Sequence, residues 1–180
     1  YTQVWEWLVS GTPEIRPGAA GASASLKDLY GLYKALRRAR TQRGAIDFES
    51  TEVEFRFDQR GAVEDIVPYE HNDAHMLIEE CMIAANVEAA KFVTERQVPA
   101  PFRVHPRPPE AKYADLLEYL SEFGLSLPPW SKVQPKDFTQ LLRKIRIRPD
   151  APLLETVLLR SQSLAVYQTE NLGHFGLALE

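Results

Sequence analysis

Residues 52–97 read EVEFRFDQRGAVEDIVPYEHNDAHMLIEECMIAANVEAAKFVTERQ. Two periods meet in this stretch. From Glu52 to Asp58 the apolar residues alternate, with Val53, Phe55 and Phe57 on one face and Glu54 and Arg56 on the other. Alternation at period two is the mark of a strand. Asp58-Gln-Arg-Gly61 is a turn, and Val63, Ile66 and Val67 lead out of it, so the segment predicts a β-hairpin. From Asn72 to Gln97 the pattern becomes helical, with Asn72 or Asp73 placed to cap the first turn. Met76, Leu77, Cys81, Ile83, Ala84, Ala85, Val87, Ala90 and Phe92 leave its middle largely apolar, which predicts burial on several sides. A hairpin followed directly by a long helix, with more helices around them, reads as a soluble domain of mixed α and β structure.

On the N-terminal side, Leu26, Leu29, Tyr30, Tyr33 and Leu36 recur at spacings of three and four and predict a helix to Arg43, stopped by Gly44. Residues 4–9 read as the end of a helix or an apolar anchor, and the Gly/Ala/Ser/Pro-rich stretch 10–25 as a flexible loop. Asp47-Phe48 reads as a short extended piece. On the C-terminal side, Pro99 and Pro101 end the long helix. Phe102–His105 is extended and 105–109 is a proline-rich connector. Helices are expected at about 110–123, 135–145 and 152–160, and a strand at 174–179.

The chain has 180 residues, 44% hydrophobic and 26% charged, ordinary values for a packed domain. No apolar run approaches a membrane span. A start at Tyr1 with no basic-then-apolar leader reads as a cut chain without a signal peptide. The single cysteine, Cys81, cannot form an internal disulfide, which suits a reducing cytoplasm. The net charge of −4 argues mildly against a stand-alone nucleic-acid binder, so any contact with RNA is expected at a local site.

Several side chains are candidates for chemistry. His71, His75 and Glu79 are spaced i, i+4, i+8, as ligands on one helix face would be, yet capping and polar roles are the commoner use of such residues. Glu79 and Glu80 precede an apolar segment; a solvated first-turn carboxylate is the plainer reading of Glu79, a carboxylate reaching into a cavity the sharper one. The run Arg37–Arg43 and the group Arg143, Lys144, Arg146 and Arg148 each read as solvated helix ends before phosphate sites. The aspartates are scattered, so no local carboxylate cluster offers to hold two metal ions.

A set of blocks carries further information: Gly44-Ala-Ile-Asp-Phe-Glu-Ser50, Val63-Glu-Asp-Ile-Val-Pro68, Asn72-Asp-Ala-His75, Ile78-Glu-Glu-Cys-Met-Ile-Ala-Ala-Asn86, Phe102-Arg-Val-His105, Thr156-Val-Leu-Leu-Arg-Ser161, Ala165-Val-Tyr167 and Glu170-Asn-Leu-Gly-His-Phe-Gly-Leu-Ala178. In this order and spacing they resemble the catalytic domain of the ribonuclease II / ribonuclease R family. The resemblance implies a predominantly helical piece of that α+β domain over residues 1–180, with a hairpin and an end strand. It implies a parent that is a processive, hydrolytic 3′-to-5′ exoribonuclease, dependent on magnesium and acting on the 3′ end of single-stranded RNA to release nucleoside monophosphates. It matches Phe48 to a phenylalanine that clamps the terminal bases and Glu79 to a glutamate that contacts the last nucleotide, both at one substrate channel. His105 and His174 fall within family motifs and are candidate substrate-binding residues. The family's metal-binding aspartates and catalytic arginine are expected outside residues 1–180, so no metal and no catalytic activity are expected of the chain alone. The rival reading is a non-catalytic RNA-binding or protein-interaction domain on a decayed nuclease fold.

Overall fold

The computed structural model describes residues 1–10, 22–48, 53–69 and 71–180. The elements run α1 (Thr2–Ser10), α2 (Ser23–Arg43), β1 (Val53–Phe57), β2 (Val63–Pro68), α3 (Asp73–Glu95), β3 (Phe102–Val104), α4 (Glu110–Glu122), α5 (Pro135–Ile145), α6 (Ala151–Ser161) and β4 (Val166–Gln168), followed by a 3₁₀ turn at Phe175–Leu177. Among the described residues this is six helices and two antiparallel pairs, β1 with β2 and β3 with β4, the α+β class expected. The chain divides into two compact units. The first comprises Tyr1–Arg37 and Glu49–Ala89, the second Arg38–Phe48 and Ala90–Glu180.

In the first unit the hairpin pairs as predicted, with Phe55 opposite Ile66 and a register shift between Arg56 and Phe57. Asp58 builds its turn: one carboxylate oxygen accepts from the N–H groups of Arg60 and Ala62. Asn72 caps α3, its side-chain oxygen accepting from the N–H of Ala74 at 3.1 Å. The expectation that this long helix is buried on several sides does not hold. Its buried residues are Ala74, Leu77 and Glu80, in the first two turns, while Ile78, Met82 and Phe92 are exposed. Its apolar content is real, but among the described residues few cover it beyond those first turns. Of the loop predicted at 10–25, Ser10 belongs to α1 and residues 23–25 to α2; residues 11–21 lie outside the described residues, as does Glu52.

The main hydrophobic core lies in the second unit. Tyr113, Leu116 and Leu120 of α4, Phe138, Leu141, Leu142 and Ile145 of α5, and Leu154 and Leu158 of α6 form it, with Ile46 and Val133. The spacing of these residues within each helix is the three-and-four rhythm of one buried stripe. Asp137 closes the start of α5 by accepting from the N–H of Gln134 at 2.8 Å, with Pro135 in the first turn, where its missing N–H costs nothing. Gly44 ends α2 with φ +83°, and a Cβ there would stand 2.7 Å from the Cβ of Lys136, so the chain turns against α5 only with glycine.

The segment 174–179 is not a strand. His174 makes single bridges to His105 and Leu179; Phe175–Leu177 forms a 3₁₀ turn and Ala178 is left-handed at φ 51°. The strand that pairs near the C-terminus is β4, which runs against β3 with Arg103 opposite Tyr167. Gly173, at φ +76°, reverses the chain so tightly that a Cβ would meet the Leu179 carbonyl at 2.6 Å. Alternating apolar residues at 175–179 look like a strand but here lie on a turn. Asp47-Phe48 likewise carries no strand.

Candidate nucleic-acid interface

His105 and His174 are brought together, ring centroids 4.9 Å apart. His105 sits just past β3 and spends both ring nitrogens on backbone. Nε2 lies 2.8 Å from the Ser163 carbonyl, which can only accept, so Nε2 carries the proton. Nδ1 then accepts from the N–H of Gly176 at 2.9 Å. The main chain of His105 adds two bonds, to Gly173 and Phe175. His105 thus pins the 173–176 turn, and Gly176 is glycine-sized because a Cβ there would lie 3.0 Å from Nδ1. His174 caps the 3₁₀ turn, its Nδ1 accepting from Leu177 N–H. Burial, and then the neighbouring His105, hold its pKa down to about 4. His174 is therefore neutral at neutral pH, and each ring accepts a backbone N–H through Nδ1.

Phe48 follows the Gly44 turn. It is half-buried and packs on the core of the second unit. The turn carrying it is held by Thr139, whose hydroxyl lies 3.1 Å from the carbonyls of both Gly44 and Ala45, and by Ile46, which donates to the Gly176 carbonyl at 2.8 Å. Beside it lies a small cavity of about 150 Å³ lined by Thr41, Ala45, Asp47, Thr139, Leu142, Arg143 and Arg146. Arg40 pairs with the Asp47 carboxylate at 2.6 Å, and Arg146 donates to the Asp47 carbonyl at 2.9 Å.

Glu79 belongs to the first unit. Its carboxylate meets His71 Nε2 at 2.6 Å and is about half exposed, so the plainer reading of its position stands. The buried carboxylate is its neighbour Glu80, at 5% exposure, facing Arg37 at 3.5 Å. His75 stacks on Tyr1 and lies within 3.0 Å of the Asn72 side-chain oxygen; burial, then His71, lower its pKa. His71, His75 and Glu79 do not assemble a metal site: among the described residues no group of three or more His, Cys, Asp or Glu side chains could hold an ion. No helix among them is long and apolar enough to cross a membrane.

Sequence reading missed an acceptor. Asp73 takes the hydroxyls of Tyr30 at 2.7 Å and Tyr33 at 3.1 Å, joining α2 to α3 within the first unit. Burial and then Asp73 push Tyr33 up to about 12. The helical spacing marked Tyr30 and Tyr33 as core-facing, but nothing local pointed to a partner some 40 residues away.

The RNB domain family matches residues 1–180. Ribonuclease R of Escherichia coli (strain K12) is 45% identical over 180 residues, all of this chain and 22% of that protein. The fold is similar to Mycoplasma genitalium RNase R in complex with ribose methylated single-stranded RNA, with a TM-score of 0.85 and 26% identity over 99% of this chain and 28% of that one. It is similar also to the same enzyme in complex with double-stranded RNA, with a TM-score of 0.87 and 26% identity over 99% of this chain and 32% of that one. The chain therefore spans about a fifth of the length of its curated relative.

Proposed function

The chain belongs to the RNB domain family, and from that premise we propose that it is part of a 3′-to-5′ exoribonuclease of the ribonuclease R kind. The observation that carries this reading is the match of the whole chain to that family, together with a fold similar to RNase R structures holding RNA. The reaction proposed for the parent is processive hydrolysis from the 3′ end of single-stranded RNA, releasing nucleoside monophosphates with magnesium. The described residues do not fit the ion, since none of their His, Cys, Asp and Glu side chains gather into a site. No step through it is assigned to this chain, and the 180 residues alone are proposed to be inactive.

What the chain contributes is substrate handling. Phe48 is proposed to stack on bases near the RNA end. A half-buried ring, fixed behind by the core and open in front, suits stacking, worth about 1–3 kcal/mol per base. Glu79 is proposed to accept hydrogen bonds from ribose hydroxyls, for which an exposed carboxylate has free lone pairs. His105 and His174 are proposed to support the RNA path indirectly, by fixing the 173–177 turn on which Ile46, and so Phe48, depends. The test is a product ladder from the full-length protein with magnesium and 5′-labelled single-stranded RNA. Phe48→Ala should change the length of the final product, and Glu79→Ala should slow turnover. Unchanged ladders from both would end these assignments, and a parent with no 3′-to-5′ activity would end the reading itself.

A further inference from the structure

We infer that His71 is a positioning residue for Glu79, its ring N–H holding one oxygen of the carboxylate so that the other is set to accept from a ribose hydroxyl. The role of Glu79 at RNA rests on the proposed function; the His71–Glu79 bond does not. Nε2 of His71 lies 2.6 Å from Oε1 of Glu79. An ionised carboxylate can only accept, so Nε2 carries the proton whether the ring is neutral or charged. His71 stands just before α3, outside its regular turns, and Glu79 stands in the second turn of that helix. Between them in sequence, His75 is held on several sides: Asn72 Oδ1 lies 3.0 Å from its Nδ1, Tyr1 stacks on it and Tyr69 meets it edge-on. The His71 ring lies beside this platform, centroids 5.7 Å apart. A ring turns on two side-chain bonds, so fixing it costs less entropy than fixing a lysine or an arginine.

Glu79 needs such a hold. It is about half exposed, and among the described residues its side chain makes no other hydrogen bond or ion pair. An unrestrained glutamate spreads over many rotamers, and a ligand that requires one of them bears the cost of ordering it. The bond to His71 orders the carboxylate before RNA arrives. It occupies one of about four lone-pair positions, and Oε2 keeps both of its own. Glu80, the next residue, marks the contrast: its carboxylate is buried facing Arg37 at 3.5 Å. The pairing with His71 restrains Glu79 while leaving it at the surface, where a ligand can reach it.

The test is a double-mutant cycle on turnover of 5′-labelled single-stranded RNA by the full-length protein with magnesium. His71→Phe keeps a ring beside His75 and removes the donor; it should slow turnover about 2- to 5-fold, the range of an exposed pair. His71→Gln places an amide N–H near the position of Nε2 and should restore most of that loss. In a Glu79→Ala background, His71→Phe should slow turnover no further, since the group it positions is gone. Urea midpoints should match throughout, because the pair lies at the surface. A loss that His71→Gln does not recover, or that persists undiminished beside Glu79→Ala, would show that His71 serves the fold and would overturn the role. Where Glu79→Ala slows the enzyme and His71→Phe does not, the reading of Glu79 stands and only the role of His71 falls. Where neither substitution matters, or the native parent is inactive, the reading of Glu79 falls and the role of His71 with it.

Discussion

The two units of this chain differ in packing. The second holds a continuous core in which Phe138, Ile145, Leu154 and Leu158 are fully buried. The first buries Trp7, Tyr33, Ala74 and Leu77, while the apolar face of its hairpin (Val53, Phe55, Phe57, Val63 and Ile66) is exposed. A two-stranded hairpin with no layer behind it is marginal in water. One unit is thus stabilised by apolar burial and the other more by specific polar contacts, the Asp73–tyrosine pair and Arg37–Glu80. The sharpest way to break this contrast is a pair of truncations. Phe138→Ala should cost about 3–5 kcal/mol in urea unfolding. Phe57→Ala, of the same chemistry, should stay within about 0.5 kcal/mol. Similar losses at the two sites would show that the hairpin face is covered in solution.

Next in size is the buried carboxylate. Glu80→Ala removes the buried carboxylate that faces Arg37 at 3.5 Å, and the loss should be about 1–3 kcal/mol by the same assay. Replacing both partners with apolar residues should recover much of it, because desolvation of the pair is removed along with its attraction.

The third test uses pH. Tyr33 titrates near 12 when folded, against about 10 unfolded. Between these values the folded chain holds the extra proton, so the stability Tyr33 contributes is present below pH 10 and is lost as pH rises toward 12. Asp73→Asn removes the charge that helps raise it, so phenolate absorbance should appear at lower pH. His174 runs the other way. Its folded pKa of about 4 lies below the usual 6.5, so its contribution is present above pH 6.5 and is lost as pH falls toward 4. With the ring only about half buried, the effect is modest, and His174→Gln should flatten that part of the acid limb. An unchanged acid limb would mean that the 3₁₀ turn does not depend on a neutral ring.

Local signals carried the elements well and the contacts poorly. Alternation at 53–57 and the Asp58–Gly61 turn located the hairpin, and the stripes of α4, α5 and α6 located the core, because period and turn chemistry are properties of neighbouring residues. The end of the chain misled, since the alternating apolar residues at 175–179 satisfy a strand pattern although Gly173 and His105 bend them into a turn. The site was legible in part. Family blocks singled out Phe48, Glu79, His105 and His174, but not that His105 uses both ring nitrogens internally, nor that Arg40 and Arg146 both bond to Asp47. Those facts depend on pairings across tens of residues, where one sequence carries no register.

The smallest expected stability effect belongs to the residue with the largest functional expectation. Glu79 and Glu80 are adjacent on α3, yet one is about half exposed and the other buried. The Glu79–His71 pair is a surface contact, and such pairs are worth about 0–1 kcal/mol. Glu79→Ala should therefore leave the urea midpoint nearly unmoved, a small fraction of the Glu80→Ala loss. That makes Glu79 a clean probe: a fall in exonuclease turnover of the full-length protein without a fall in stability separates substrate contact from scaffolding. If Glu79→Ala instead destabilised as much as Glu80→Ala, its carboxylate would be structural, and slower turnover could no longer be attributed to a missing hydrogen bond with RNA.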